Sequence, residues 1–165
     1  MRVYFFSFGK LKTSGLRQTG DYYLQLLRPW VHAEEVELKP LAVPDKSQAT
    51  RKDIQIKEGL HLLEKIEKKI SSRGIIILLD ETGKTLPTQG WAKTFLDLES
   101  QSIPEIAFCI GSSLGFSEDV KKKSKLSLSF GPQTLPHELA RVVLFEQVYR
   151  AWSVIKGHPY HNEGS

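Results

Sequence analysis

An α/β fold, with a mostly parallel sheet and helices on both faces, is predicted by three features of the 165-residue sequence. Short apolar runs rich in β-branched and aromatic residues recur along the chain, each stopped by glycine or a polar turn. Segments with apolar residues at helical spacing lie between them. Strand and helix alternate to the end, and that order builds parallel strands joined by crossover helices. Ligands of such sheets bind beyond the carboxyl ends of the strands.

The first strand is RVYFFSF at 2–8, ended by Gly9. A weaker one, EEVELKPL, is expected at about 34–41. From Arg51 to Ser72 the residues Ile56, Leu60, Leu63, Ile66 and Ile70 keep helical spacing, with Glu64 and Lys68 paired opposite. Gly59 weakens that helix only modestly. IIILLD at 75–80 reads as a strand ended by DETG, and EIAFCI at 105–110 as one closed by Gly111. KLSLS at 125–129 is a weaker strand.

The last helix, about 135–156, carries Val142, Val143, Leu144, Phe145, Val148, Tyr149 and Trp152, apolar around most of its circumference. Such a helix is buried on more than one side, and a second copy of the protein is expected to supply the additional cover. Thr134 is the expected N-cap with Pro136 in the first turn. Lys156, Gly157 and Pro159 form the stop signal, so 158–165 lies outside the helix.

The length fits one domain over 1–165, able to bury roughly 70% of the surface its unfolded chain exposes. With 40% hydrophobic and 25% charged residues the composition is that of a soluble globular protein. Cys109 is the single cysteine, which excludes an internal disulfide and a zinc site built on paired cysteines and suits a reducing cytoplasm. No small-residue cleavage pattern follows the opening, and the longest aliphatic run, Ile75 to Leu79, is too short to span a bilayer, so neither export nor membrane insertion is expected. The net charge of +4 permits an RNA partner. The KKKSK run at 121–125 follows Glu118 and Asp119 and reads as a solvated helix face.

Several motifs fail on spacing. GKT at 83–85 resembles the end of a Walker A loop, but the glycine required five residues before Gly83 is Leu78. GSSLG at 111–115 lacks the dinucleotide pattern, yet it forms a tight strand-to-helix turn where backbone can approach a ligand. Asp80 and Glu81 end a strand, where a carboxylate could hold a ribose or a metal or simply serve the turn. Cys109, inside an apolar strand, reads as an inert buried thiol. His158 and His161 flank Tyr160 in the terminal GHPYHNEGS, but no cysteine or third histidine accompanies them, so no metal is expected.

Four stretches in order carry a family resemblance: LLDETGK at 78–84, FCIGSSLG at 108–115, LSLSFGPQTLPHELARVVLFEQVYRAW at 126–152 and GHPYH at 157–161. Together with the opening FSFGKLK they resemble the bacterial 23S ribosomal RNA pseudouridine N3-methyltransferases of the SPOUT superfamily. The resemblance implies a homodimer with a C-terminal trefoil knot, an exception to unknotted chains. It implies S-adenosylmethionine as methyl donor, held by Leu79, Gly111 and the stretch Phe130, Gly131, Pro132, Gln133, Thr134 and Leu135. It implies a pseudouridine on the assembled ribosome as target, with Tyr160 and His161 from the tail 157–165 as candidate catalytic residues. His161 is the candidate base for the N3 proton, and Tyr160 stacks on or hydrogen-bonds to the base.

Two positions depart from the family pattern. Ser112 replaces a second glycine, which matters if the backbone there needs positive φ. Asn162 replaces a basic residue, so Arg141, Arg150 or Lys10 is expected to supply the RNA phosphate contact. Two other readings share the fold: a non-catalytic RNA-binding or ribosome-assembly dimer, and a methyltransferase acting on another RNA such as a transfer RNA. Held alone, the tail is expected to be loose, because ordering each residue costs about 1–2 kcal/mol while burying Tyr160 returns about 4–6 kcal/mol.

Overall fold

The computed structural model describes residues 1–45 and 47–160. Strands β1 (Arg2–Phe8), β2 (His32–Leu38), β3 (Ile75–Thr85), β4 (Glu105–Ile110) and β5 (Leu126–Ser129) form one sheet in the order β2-β1-β4-β3-β5, every pair parallel. Helices α1 (Ser14–Leu27), α3 (Thr88–Ser100) and α5 (His137–Ile155) cover one face, where Phe5, Ile77, Phe108, Trp91, Phe95, Phe145 and Trp152 share a core. Helices α2 (Gln48–Glu67) and α4 (Glu118–Lys123) cover the other, over Phe6, Leu78, Cys109, Leu62 and Val120. The fold class expected from the strand and helix alternation is the one found.

Boundaries differ from the local signals where long-range pairing decides them. β2 runs from His32 to Leu38, because its register with β1, from Arg2↔His32 to Phe8↔Leu38, sets both limits. α2 starts at Gln48, ahead of the periodic stretch, because the Ser47 hydroxyl accepts the Thr50 N–H as an N-cap. The KKKSK lysines begin on α4, whose residues 121–123 are exposed as a solvated face.

β3 does not stop at DETG. Leu79 pairs with Leu128, residues 80–83 make an excursion, and Lys84 and Thr85 then pair with Leu128 and Ser129. Pairing with β5 overrides the turn signal, and the two segments cross closely: a Cβ at Gly83 would lie 2.7–2.8 Å from backbone atoms of Leu128.

α5 corrects one expectation. Val142, Leu144, Phe145, Val148, Tyr149 and Trp152 are all buried within a single protomer, with Val143 half-buried. Their cover comes from the sheet and from the flanking α1 and α3, whose side chains join the same core. The apolar circumference therefore does not itself require a second copy. A central helix of a three-helix layer is enclosed from both sides as well as from below.

The N-terminus of α5 also differs, since Pro136 holds the N-cap position while the Thr134 hydroxyl donates to Glu81 Oε2 at 2.6 Å. At the other end, Gly157 adopts φ +62°, its N–H donates to Val154 O and the His158 N–H to Ser153 O. These bonds form the glycine stop expected from the sequence.

Gly83→Ala is expected to destabilise the protein by about 1–3 kcal/mol through overpacking against Leu128. The check is the urea midpoint, which falls with unchanged slope; an unaltered midpoint would contradict the close crossing.

Candidate active site

The 80–83 excursion within β3 and the loops after β4 and β5 enclose a cleft of about 480 Å³. That volume suits a small-molecule ligand. The β3 excursion contributes Leu79, Asp80 and Glu81, the turn after β4 contributes Gly111 and its neighbours, and the segment after β5 contributes Phe130, Gly131, Gln133, Thr134 and Leu135. Of the residues expected to hold the cofactor, only Pro132 does not line this cleft.

Each loop is shaped by identifiable interactions. After β4 the Gly115 N–H donates to Ser112 O, and Gly115 takes φ +70°. Ser112 itself is not in the left-handed region, and its hydroxyl accepts the Leu114 N–H at 3.2 Å, so the serine is accommodated in place of glycine. Gln55 of α2 donates to Leu114 O and ties the turn to the helix beside it. After β5 the buried Ser129 hydroxyl accepts the Gly131 N–H at 3.0 Å and donates to Gly131 O at 2.8 Å, while Gly131 takes φ +139°. Phe130 stacks on Trp91 at 6.0 Å between ring centroids, which fixes one apolar wall.

The cleft suits S-adenosylmethionine. Its walls join apolar side chains and backbone at glycine turns, able to take an adenine ring by contact and main-chain hydrogen bonds, with polar side chains such as Asp80, Gln133 and Thr134. Among the described residues no group of three or more histidine, cysteine, aspartate or glutamate side chains is placed to hold a metal ion. Asp80 accepts both the N–H and the hydroxyl of Thr82, which is turn chemistry, and Glu81 is engaged by Thr134.

Cys109 is fully buried and burial pushes its thiol well above the usual range, so it stays protonated. His137, the first residue of α5, also lines the cleft, though nothing in its periodicity singled it out.

Arg141 corrects the expectation of an RNA contact. It is 1% exposed, with Nη2 2.9 Å from Glu37 and 3.1 Å from Glu35 and Nη1 donating to Gly9 O. A buried cation paired in this way is spent on the fold. Arg150 is only half-buried, pairs with Glu146, and lies over the Tyr160 ring at 5.0 Å. Lys10 is exposed, in the loop between β1 and α1.

Tyr160 does not line the cleft of its own protomer. Its ring packs edge-on against Tyr149 at 4.6 Å, and its hydroxyl lies 3.3 Å from that of Tyr23 and donates to Glu146 at 3.2 Å. The cleft meets α5 no further along than Ala140, so these contacts begin about 9 Å further down the helix axis. Burial, Tyr23 and the nearby Glu146 carboxylate push the Tyr160 phenol far above its usual range, leaving a neutral donor. His158 meets Trp30 and Tyr149 edge-on, and Trp30 stacks on Tyr149 at 5.2 Å. The tail to residue 160 is thus docked within one protomer rather than loose, because Tyr23, Tyr149, Trp30 and His158 add contacts beyond the burial of Tyr160 itself. His161 and Asn162 lie outside the described residues.

A family profile described as Predicted SPOUT methyltransferase matches residues 1–161. The chain belongs to this family. Relatives named Ribosomal RNA large subunit methyltransferase H from Leuconostoc citreum and Bacillus thuringiensis are 37% and 39% identical to it over 162 residues. Each alignment spans 98% of this chain and 99% of the relative. Among solved structures, the SpoU methyltransferase AviRb from Streptomyces viridochromogenes, crystallised with AdoMet, superposes with a TM-score of 0.45 at 13% identity, over 95% of this chain and 61% of that one. No helix among the described residues of this SPOUT family member is long and apolar enough to cross a membrane.

Arg141→Ala is expected to cost about 3–5 kcal/mol of stability, because it leaves the Glu35 and Glu37 carboxylates without their cation. Urea unfolding checks this; a variant of wild-type stability would reopen the RNA role.

Proposed function

We propose that the protein is an S-adenosylmethionine-dependent methyltransferase that methylates N3 of a pseudouridine in 23S ribosomal RNA, acting on the assembled ribosome in the cytoplasm as a homodimer. The observation that carries this reading is the cleft built jointly by the β3 excursion and the loops after β4 and β5, coincident with the expected cofactor residues. The full-length relatives named as large-subunit ribosomal RNA methyltransferases support the substrate class.

Bound in the cleft, the cofactor supplies an electrophilic methyl group on a sulfonium, with no need of a metal. The chain's own residues position and shield. Leu79, Leu128, Phe130 and Leu135 exclude water, and the turns at Gly111 and Gly131 bring backbone close to the ligand. Holding methyl and N3 in near-attack geometry can remove several kcal/mol of barrier, about 7–11 kcal/mol in the best intramolecular cases. The N3 proton must leave as the N–C bond forms, and His161 is the proposed acceptor. Tyr160, kept neutral, suits stacking or hydrogen-bond donation and not proton removal.

The docking of Tyr160 away from its own cleft supports a site completed across the dimer. The tail of one protomer would then wall the cleft of its partner.

Labelled cofactor incubated with ribosomes, isolated subunits or naked RNA, followed by nucleoside mass spectrometry, tests the whole reading. Methylated pseudouridine is expected from ribosomes, and labelling of naked RNA alone would sink the assembled-particle reading. Removing residues 158–165 is expected to abolish methylation and leave a folded dimer, and His161→Ala to lower the rate by about 10²–10⁴-fold. A tail-deleted subunit mixed with a cleft-blocked Gly131→Val subunit should regain activity if the site is shared between protomers. An inactive mixture of verified heterodimers would confine the site to one protomer.

A further inference from the structure

The loop Gly9–Thr13 between β1 and α1 is held by more bonds than a connection of its length needs. The Gly9 N–H donates to Leu38 O, and Gly9 O accepts from the buried Arg141. The Leu11 N–H donates to Glu37, whose same oxygen receives Arg141 Nη2. The Lys12 and Thr13 N–H groups both donate to Glu138 Oε2, at 3.1 and 2.9 Å. The Leu11 side chain is buried as an anchor, and Lys10 and Lys12 on either side of it are exposed.

Neither lysine side chain has a carboxylate partner among the described residues, a state they share with lysines such as Lys122; what sets them apart is the fixed loop that carries them. The nearby carboxylates are already engaged, Glu35 and Glu37 by Arg141 and Glu138 by the loop's backbone. The loop also adjoins the cleft: a Cβ at Gly9 would lie 3.6 Å from Nε2 of His137, which lines it. Two uncompensated ammonium groups on a fixed backbone at the mouth of a cleft match the spaced phosphates of a nucleic-acid strand.

We propose that the Gly9–Thr13 loop is a preformed grip for the ribosomal RNA backbone, with Lys10 and Lys12 contacting phosphates and Arg141 and Glu138 acting as positioning residues. This rests on the methyltransferase reading, since it needs an RNA target entering the cleft. The grip fixes where the strand lies, while the cleft decides what is modified.

The test compares wild type with the Lys10→Ala/Lys12→Ala double variant and with Lys122→Ala, an exposed lysine on α4. Ribosome binding by co-sedimentation and the KM for ribosomes are measured across a salt series, with cofactor affinity by calorimetry. The double variant is expected to bind ribosomes about tenfold more weakly and to lose about 1.5 from the slope of log affinity against log salt, at about 0.7 per phosphate contact of a single strand. Its kcat and cofactor affinity stay at wild-type values, and Lys122→Ala leaves the slope unchanged. Lys10→Arg/Lys12→Arg should restore the slope, and Glu138→Gln should weaken ribosome binding without changing it by a full charge. A wild-type slope in the double variant, or an equal loss in Lys122→Ala, overturns the grip. Wild-type protein that binds ribosomes with the expected slope yet binds no cofactor overturns the methyltransferase reading instead.

Discussion

The crossing of β3 and β5 is the constraint on which the rest of the site depends. Leu128 pairs with Leu79 before the 80–83 excursion and with Lys84 after it, so β5 is fixed to β3 at two heights of the same strand. Only glycine at position 83 permits the approach, since any Cβ would enter the space of the Leu128 backbone. The crossing sets Leu79, Glu81 and the segment after Ser129 against one another, and Ser129 and Thr134 bond to Glu81 across it. A cleft assembled from backbone in this way needs few special side chains. It needs the loops to be held rigidly, because a displacement of about 1 Å in a reacting geometry is costly.

α5 distributes consequences along its length. Its first turn closes the cleft through His137 and Ala140 and holds the β1–α1 loop through Glu138. The loop's N–H donors hold the Glu138 carboxyl below its usual range, so the stability it contributes is present above the ordinary pKa of 4.5 and is lost as pH falls through the lower folded value. One turn further on, Arg141 is buried among Glu35, Glu37 and the Gly9 carbonyl. A buried ion pair adds little net stability, but it fixes one arrangement, since removing either partner strands a charge. The far end of α5 carries the tail back along α1, where Tyr23, Trp30, Tyr149 and Tyr160 pack together. In a single protomer the cleft and the docked Tyr160 therefore lie at different heights of one rod.

The fold class was legible in the sequence because strand and helix periodicities are local properties of side-chain order. The runs at 2–8, 75–80 and 105–110 are β1, the first part of β3, and β4, and the glycine at 157 ends α5 as the stop signal indicates. The continuation of β3 through DETGK was not legible, since a turn-like segment became strand only by pairing with residues more than forty positions away. Arg141 was misread for a related reason. An arginine on a helix looks available until the distant Glu35 and Glu37 are brought beside it.

The sequence by itself determined the alternating α/β order, the glycine turn after β4, the terminal aromatic and histidine motif, and the family pattern running from FSFGKLK to GHPYH. Each depends on neighbours in the chain or on residues quoted in order. Only the tertiary structure decided that α5 is enclosed by α1 and α3 without a second copy, that Arg141 is a buried strut, and that Tyr160 docks away from its own cleft. These are matters of which distant segments meet, and burial, charge pairing and access are set by that meeting and not by residue type alone.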